Sequence, residues 1–349
     1  MNQIQQRFFY DPDPNTGIDR SLRAYIYTIS YGKALLVADV FNPVTVQPCD
    51  IDAAINATPA VAPYEFACIV FTGGTHGCRG WAFWDNPPFP FNPAVVTNNL
   101  RNWCRFAMDE PLGVWAMETM HTLTAFGDLY NTNPHPGSFD NMACSCGTHP
   151  STFTKWKLGW LDPSDIVTAP ASTASIFTLH ALELLQPPPP GRVTAVRIPS
   201  TISQRYFLVE ARLRIDPYDR PTSGISSGIP SEGVVIYEID EAAWPVQLRT
   251  PTALSVGQNY TNSAEQLELD VSASVPGGFT VSIRSTENPA CAAIRDEIAD
   301  ARAEIADLQA DLQGATPAEK AGIVRGIRAQ QAKINSARQR GRSLGCRLP

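Results

Sequence analysis

Residues 114–130 read Val-Trp-Ala-Met-Glu-Thr-Met-His-Thr-Leu-Thr-Ala-Phe-Gly-Asp-Leu-Tyr, and the interpretation of the whole chain depends on this stretch. Glu118 and His121 are three residues apart, so they lie on one face if the stretch is helical. A glutamate and a histidine at this spacing form either a chemically active pair or the end of a structural helix in which His121 packs or caps. The flanking sequence has to decide between these two interpretations.

The residue types around Glu118 correspond to part of a zinc-hydrolase motif. In a His-Glu-x-x-His helix, two imidazoles one turn apart bind one zinc ion, and the glutamate beside the first acts as general base for the metal-bound water. Glu118 and His121 hold the last two of these positions, whereas Met117 holds the first. The pattern predicts a protease-like helix with an altered first ligand.

Several segments after this helix extend the pattern along the chain, namely Asp128-Leu129-Tyr130 and residues 137–142, 149–161, 206–212, 228–241, 254–258 and 278–283. In this order, over residues 110–285, they resemble secreted metalloproteases of the immune inhibitor A type, to which the gametolysins are related. The resemblance implies an α+β fold with a metalloprotease-like, zincin-type domain. It also implies Glu118 as general base, His121 and Asp128 as metal ligands, and Met142 in the turn beneath the metal.

The chain departs from this family at the metal site. Met117 replaces the first metal-binding histidine, and a thioether is a poor ligand for zinc. Thr124 stands where the family has a turn-forming glycine, and Asp128 follows His121 by seven residues, one more than the family spacing. Algal gametolysins have glutamine in the first position, but glutamine offers an oxygen and Met117 only a soft sulfur. We therefore expect no metal cofactor, and zinc only if the site is functional.

Hydrophobic patterning divides the chain into three stretches. Residues 1–170 are predicted to form an α/β domain, with strand-like runs at 23–30, 34–40 and 66–72 and at least two helical segments, and the resemblance implies that this domain is metalloprotease-like. Residues 171–287 contain short β-branched runs separated by turn-forming residues, which predicts an antiparallel β region, and the resemblance implies that this region completes the protease-like unit. Its runs are 175–179, 192–198, 206–211, 233–239, 267–271 and 279–284.

Residues 288–349 predict an antiparallel two-helix coiled-coil hairpin. Apolar residues recur at alternating intervals of three and four up to Leu312, and a helix stop at 313–315 is followed by a capping box with proline at 316–319. The first helix is acidic and the second basic, so their flanks are complementary. Cys291 and Cys346 lie at the bases of the two arms, where a disulfide could close the hairpin. The hairpin is either a self-contained stalk or an arm for a protein partner or self-assembly.

Cysteine content favours export. Eight cysteines fit a set of disulfides in an oxidising compartment, and the zinc-type Cys-x-x-Cys spacing does not occur. Asn56 and Asn259 begin glycosylation sequons. No run has the length of a transmembrane segment, and the first 14 residues do not resemble a signal peptide. We expect a secreted or extracellular protein whose leader is absent or already removed.

Charge and histidine content restrict the remaining candidates. The net charge is −7, with +3 in residues 288–349, and the acidic body argues against nucleic acid. The chain has five histidines. We expect His135 and His149 on the loop surface beyond the candidate site. His76 lies on a glycine-rich stretch interpreted as a tight turn, with a candidate disulfide cysteine at Cys78.

Three function classes follow from the sequence. The first is a catalytically inactive pseudoprotease that serves as a structural or binding subunit of an extracellular assembly. The second is an active metalloendopeptidase with an altered metal site. The third is a carbohydrate-binding or adhesin module, in which the aromatic residues of 81–91 contact a surface glycan instead of packing a loop onto the core.

Overall fold

The computed structural model describes a mixed α+β protein, as the sequence predicts. The residues it describes are 3–47, 49–58, 66–72, 80–83, 103–131, 133–170, 174–184, 186–200, 204–241, 246–285, 290–343 and 346. The α-helices in these ranges are α1 (Gln3–Phe9), α2 (Leu22–Ile29), α3 (Ile51–Asn56), α4 (Leu112–Thr124), α5 (Asn141–Cys144), α6 (Thr152–Lys157), α7 (Ala290–Gly314) and α8 (Pro317–Ser343).

The strands form three sheets. In chain order they are β1 (Ala67–Phe71), β2 (Trp81–Phe83), β3 (Trp103–Ala107), β4 (Ile166–Thr168), β5 (Ser175–His180), β6 (Ala195–Pro199), β7 (Arg205–Arg212), β8 (Gly233–Asp240), β9 (Val246–Leu248), β10 (Asn259–Asn262), β11 (Leu267–Val275) and β12 (Gly278–Ser285). The sheet orders are β1-β3-β2, β4-β6-β7-β8-β9 and β10-β11-β12-β5. The ladders between β1 and β3 and between β4 and β6 are parallel, and the other ladders of these sheets are antiparallel.

Most predicted strand runs are confirmed, but two near the N-terminus are wrong. The run at 23–30 is helix α2, because the Ser21 hydroxyl caps its first turn by accepting from the Ala24 N–H at 3.2 Å. Its buried residues recur at helical spacing: Leu22, Tyr25, Ile26 and Ile29. The run at 34–40 has no regular secondary structure, and Val37 is 82% exposed.

The part of the chain before residue 288 is called the body here. The five-stranded sheet is its middle layer, because the sheet is covered on both faces. Along β7, Tyr206 and Leu208 pack into a core shared with α2 and α4. The alternate residues Phe207 and Val209 pack into a second core shared with the four-stranded sheet. This alternation follows from the two-residue period of a strand, and it explains why β7 is apolar on both faces.

The C-terminal hairpin is confirmed. Helices α7 and α8 pack together, with Ile294, Ile298 and Ile334 buried in a core of their own. A disulfide joins Cys291 to Cys346. The Thr316 N–H donates to the Glu319 carboxylate at 2.9 Å, which is one half of the predicted capping box.

A buried arginine holds the middle sheet against the layer that carries α4. Arg212, at the end of β7, is fully buried and pairs with the carboxylates of Glu183, Glu210 and Asp219. Its guanidinium also donates to the carbonyl of Phe139 at 2.6 Å and to that of His149 at 3.1 Å. Arg212 therefore fixes both ends of segment 139–149 on the sheet.

The same segment is fixed internally by Asp140. This fully buried carboxylate accepts from the Met142 N–H, from the Ser151 N–H and hydroxyl, and from the Thr154 hydroxyl. Burial raises the pKa of Asp140, and these hydrogen bonds oppose the rise. Segment 139–149 is consequently a rigid platform beneath α4.

Arg212→Gln is expected to lower the free energy of unfolding by about 3–5 kcal/mol, because it leaves buried carboxylates without their cation. Those carboxylates would then bind protons more tightly in the folded than in the unfolded state, so the loss should be greater at pH 8 than at pH 5. Urea unfolding followed by tryptophan fluorescence measures this. The matched control is Arg284→Gln, whose side chain is 57% exposed and 4.0 Å from Asp270, and which should change stability by less than about 1 kcal/mol. Equal losses in the two variants would contradict the assignment.

Candidate functional site

Helix α4 carries the two predicted site residues and is packed closely on the platform. Asn141 donates from its side-chain amide to the Gly113 carbonyl at 3.1 Å. A Cβ atom on Gly113 would lie 2.1 Å from the Ser145 carbonyl oxygen, so only glycine permits this approach. The helix ends at Thr124 and is capped by Ala125, whose φ of 54° is left-handed and whose N–H donates to the His121 carbonyl.

Both ring nitrogens of His121 face oxygen acceptors. Nδ1 lies 2.5 Å from the Phe126 carbonyl oxygen, and Nε2 lies 2.9 Å from Oδ1 of Asp128. A carbonyl and an ionised carboxylate can only accept, so both nitrogens carry protons when both bonds are made. The arrangement is that of an imidazolium paired with a carboxylate.

The electrostatics of the pair are consistent with this geometry. Burial lowers the pKa of His121, but the hydrogen bond and charge of Asp128 outweigh burial and leave the pKa above its ordinary value. Burial raises the pKa of Asp128, and the hydrogen bond and charge of His121 outweigh that effect and lower it. The Tyr130 hydroxyl also donates to Asp128, and its own pKa is raised to about 12, chiefly by burial. Each partner therefore stabilises the charged form of the other.

Glu118 lies beside this pair and is 9% exposed. Its pKa is raised to about 7, chiefly by burial, with smaller increases from the charges of Asp128 and Glu110 that the charge of His121 opposes. Gly80, immediately before β2, lies against it, since a Cβ there would be 2.8 Å from Oε1 of Glu118. Glu118 can thus exchange a proton near neutral pH, which is the range in which general acids and bases operate.

The predicted first ligand position is used for packing. Met117 is 3% exposed, and its sulfur accepts a hydrogen bond from the Ser145 hydroxyl at 3.0 Å. Met142 is fully buried, and its carbonyl accepts from the Leu129 N–H at 2.9 Å. The platform therefore supports both α4 and the segment that carries Asp128.

Among the residues that the structure describes, the side chains around His121 do not supply the donor set of a resident zinc ion. Zinc sites use at least three protein ligands drawn from imidazole, carboxylate and thiolate. Here His121 and Asp128 converge, but their nitrogen and oxygen are joined by a direct hydrogen bond. Within the part of the chain that the structure describes, no group of three or more His, Cys, Asp and Glu side chains is arranged to hold a metal ion.

The other predicted positions have mixed outcomes. His135 is exposed, as expected, but the expectation for His149 is wrong. Asn56 and Asn259, the sequon residues, are both exposed. Trp81 is 58% exposed. Residues 84–91 of the aromatic run, together with His76 and Cys78, lie outside the described residues.

His149 is buried because its ring contacts a buried network of ionisable side chains, which the sequence did not predict. Its Nε2 lies 2.5 Å from the Asp216 carboxylate and its Nδ1 2.9 Å from Nζ of Lys155. Lys155 also donates to the Tyr31 hydroxyl at 2.9 Å, and burial lowers its pKa to about 7. One feature of the sequence indicates buried polar partners of this kind. Glu210 and Arg212 occupy alternate positions of an apolar strand, and charged side chains that face a core require buried partners.

A cavity of about 580 Å³ lies apart from Glu118. It is lined by residues of α1 and by the ends of β1 and β3: Gln3, Gln6, Arg7, Asp11, Phe71, Thr72, Met108 and Asp109. None of the predicted site residues is among them.

Comparisons of the chain with protein-family models, with curated proteins and with solved structures found no match in any of the three. Among the described helices, none is long and apolar enough to cross a membrane.

Proposed function

We propose that this protein is a catalytically inactive, metalloprotease-like protein that serves as a structural or binding subunit of an extracellular assembly. The observation that carries the proposal is the direct pairing of His121 with Asp128, 2.9 Å apart, at the position where the sequence resemblance implies two metal ligands. On this proposal, the zincin-type helix is retained as a packed element of the body.

The ligands present at this site would bind zinc weakly. A structural zinc site with its full ligand set binds with about 10–16 kcal/mol. At this site the ion would have to displace the proton of His121 and break the ion pair between His121 and Asp128, and among the described residues it would find only these two good ligands. Loss of even an outer partner of a metal ligand costs about tenfold to a hundredfold in affinity. A missing inner ligand should cost more.

The hairpin supplies the binding element of the proposed role. Its core shares no residue with the two cores of the body. Toward its tip the apolar seam is only half-buried, at Leu308, Leu312, Ile323 and Ile327. One flank is acidic and the other basic, and Arg340 pairs with Glu297 across the two helices. A second protein surface can cover this seam, and charge can set its orientation.

Extracellular placement is supported by the disulfides. Cys144 and Cys146 form one, with a Cα separation of 5.1 Å, and the hairpin holds the other described pair. Such bonds persist in oxidising compartments and are rare where glutathione keeps thiols reduced.

An active metalloendopeptidase with an altered metal site is the second candidate, and two observations favour it. The pKa of Glu118 is about 7, which suits a general base. The His121 Nδ1 contact with the Phe126 carbonyl is also the orientation that zinc-bound histidines commonly have.

Zinc retention and peptide hydrolysis distinguish the two candidates. The intact protein, refolded with excess zinc and dialysed, is expected to retain much less than one equivalent of metal and to leave casein intact. Glu118→Gln should behave identically, because no catalysis depends on Glu118. One retained equivalent of zinc, with hydrolysis abolished by chelation and by Glu118→Gln, would establish the metalloendopeptidase instead.

Deletion of residues 288–349 is expected to abolish assembly without unfolding the body, because the hairpin has a separate core. Light scattering after size-exclusion chromatography measures the oligomeric state of the full chain, alone and with candidate partners, and far-UV circular dichroism checks the fold. The control is Arg284→Gln, on an exposed sheet position, which should leave assembly unchanged. Complexes that persist in the deletion variant would contradict the assigned role of the hairpin.

A further inference from the structure

Two cysteines outside the candidate site lie directly opposite each other in the first sheet. Strands β1 and β3 are parallel neighbours, and their register places Cys68 opposite Cys104. Their Sγ atoms are 2.9 Å apart, which is closer than two sulfur atoms pack without bonding. Both residues are free thiols in the structure.

The backbone geometry of this pair suits a disulfide. Neighbouring strands are separated by about 4.7–4.9 Å, and disulfides form across Cα distances of about 4.4–6.8 Å. Because the thiols already converge, closure requires a side-chain adjustment and no change of strand register. We propose that Cys68 and Cys104 are a redox modification site, at which a cross-strand disulfide forms by exchange with a low-molecular-weight disulfide such as glutathione disulfide.

Burial sets the order of the chemical steps. Cys68 is half-buried, whereas Cys104 is fully buried. The Cys68 thiol loses its proton to solvent, attacks one sulfur of glutathione disulfide and releases one glutathione thiolate. The Cys104 sulfur then attacks the Cys68 sulfur, the mixed disulfide breaks, and the proton of Cys104 passes to the departing second glutathione thiolate. Two protein thiols lose two electrons in total, and one glutathione disulfide is reduced to two thiols.

The site lies behind the helix that carries Glu118. Strand β3 packs against α4, and the Cys104 thiol faces Thr122 of that helix. A closed bond would fix β3 to β1 and stabilise the strand on which α4 rests. The inference depends on the register of β1 and β3 and on the short distance between the two thiols, and it stands whether or not the candidate site is catalytic.

Trapping of the full-length protein tests the proposal. The chain is equilibrated in buffers of increasing oxidised-to-reduced glutathione ratio, free thiols are blocked with N-ethylmaleimide, and the protein is digested without reduction for mass spectrometry. A peptide pair joined through Cys68 and Cys104 is expected, with both thiols lost together and both recovered on addition of dithiothreitol. In urea, the oxidised form should unfold at a higher midpoint than the reduced form.

Single variants distinguish the role of Cys68, which attacks glutathione disulfide, from that of Cys104, which closes the protein disulfide. Cys104→Ser should stop at a glutathione adduct on Cys68, whereas Cys68→Ser should leave the buried Cys104 unmodified. If either variant does not fold, the thiol-blocking experiment on the wild-type protein tests the proposal by itself. Two alkylated thiols at full glutathione oxidation, or a lasting glutathione adduct on wild-type Cys68, would overturn the proposal.

Discussion

The rest of the body depends on one buried cation. Arg212 has no solvent contact and lies between the carboxylates of Glu183, Glu210 and Asp219, with two of its nitrogens also bound to backbone carbonyls of segment 139–149. A buried charge is tolerated only when its hydrogen-bonding capacity is filled, so this geometry leaves little freedom for the elements that supply the partners. The guanidinium sets the distance between the middle sheet and the platform beneath α4.

Segment 139–149, which Arg212 holds in place, also contacts the candidate site. Asn141 binds the first turn of α4, Ser145 binds the sulfur of Met117, and Met142 binds the segment that carries Asp128. Each of these contacts places His121 or its partner. The position and environment of His121 therefore result from packing beneath the helix as much as from the helix itself. In our account this packing favours an ion pair with Asp128 over a metal site.

Sequence reasoning was most successful where one periodicity dominates. The heptad spacing and the cap at Thr316 specify the hairpin, and the short β-branched runs specify most of the strands of the body. It failed at residues 23–30, because an apolar run of eight residues is compatible with strand or helix and the Ser21 cap decides. It also failed at His149, because the carboxylate that pairs with this residue belongs to Asp216, which is 67 residues further along the chain.

The protonation state of His121 tests the central claim most directly. In 15N-labelled protein at pH 7, we expect both ring nitrogens of His121 to carry protons, because each lies within hydrogen-bond distance of an oxygen that only accepts, and we expect one equivalent of zinc to leave their chemical shifts unchanged. An ordinary histidine is mostly neutral at that pH. An unprotonated Nε2, or a zinc-dependent shift of its resonance, would contradict the account.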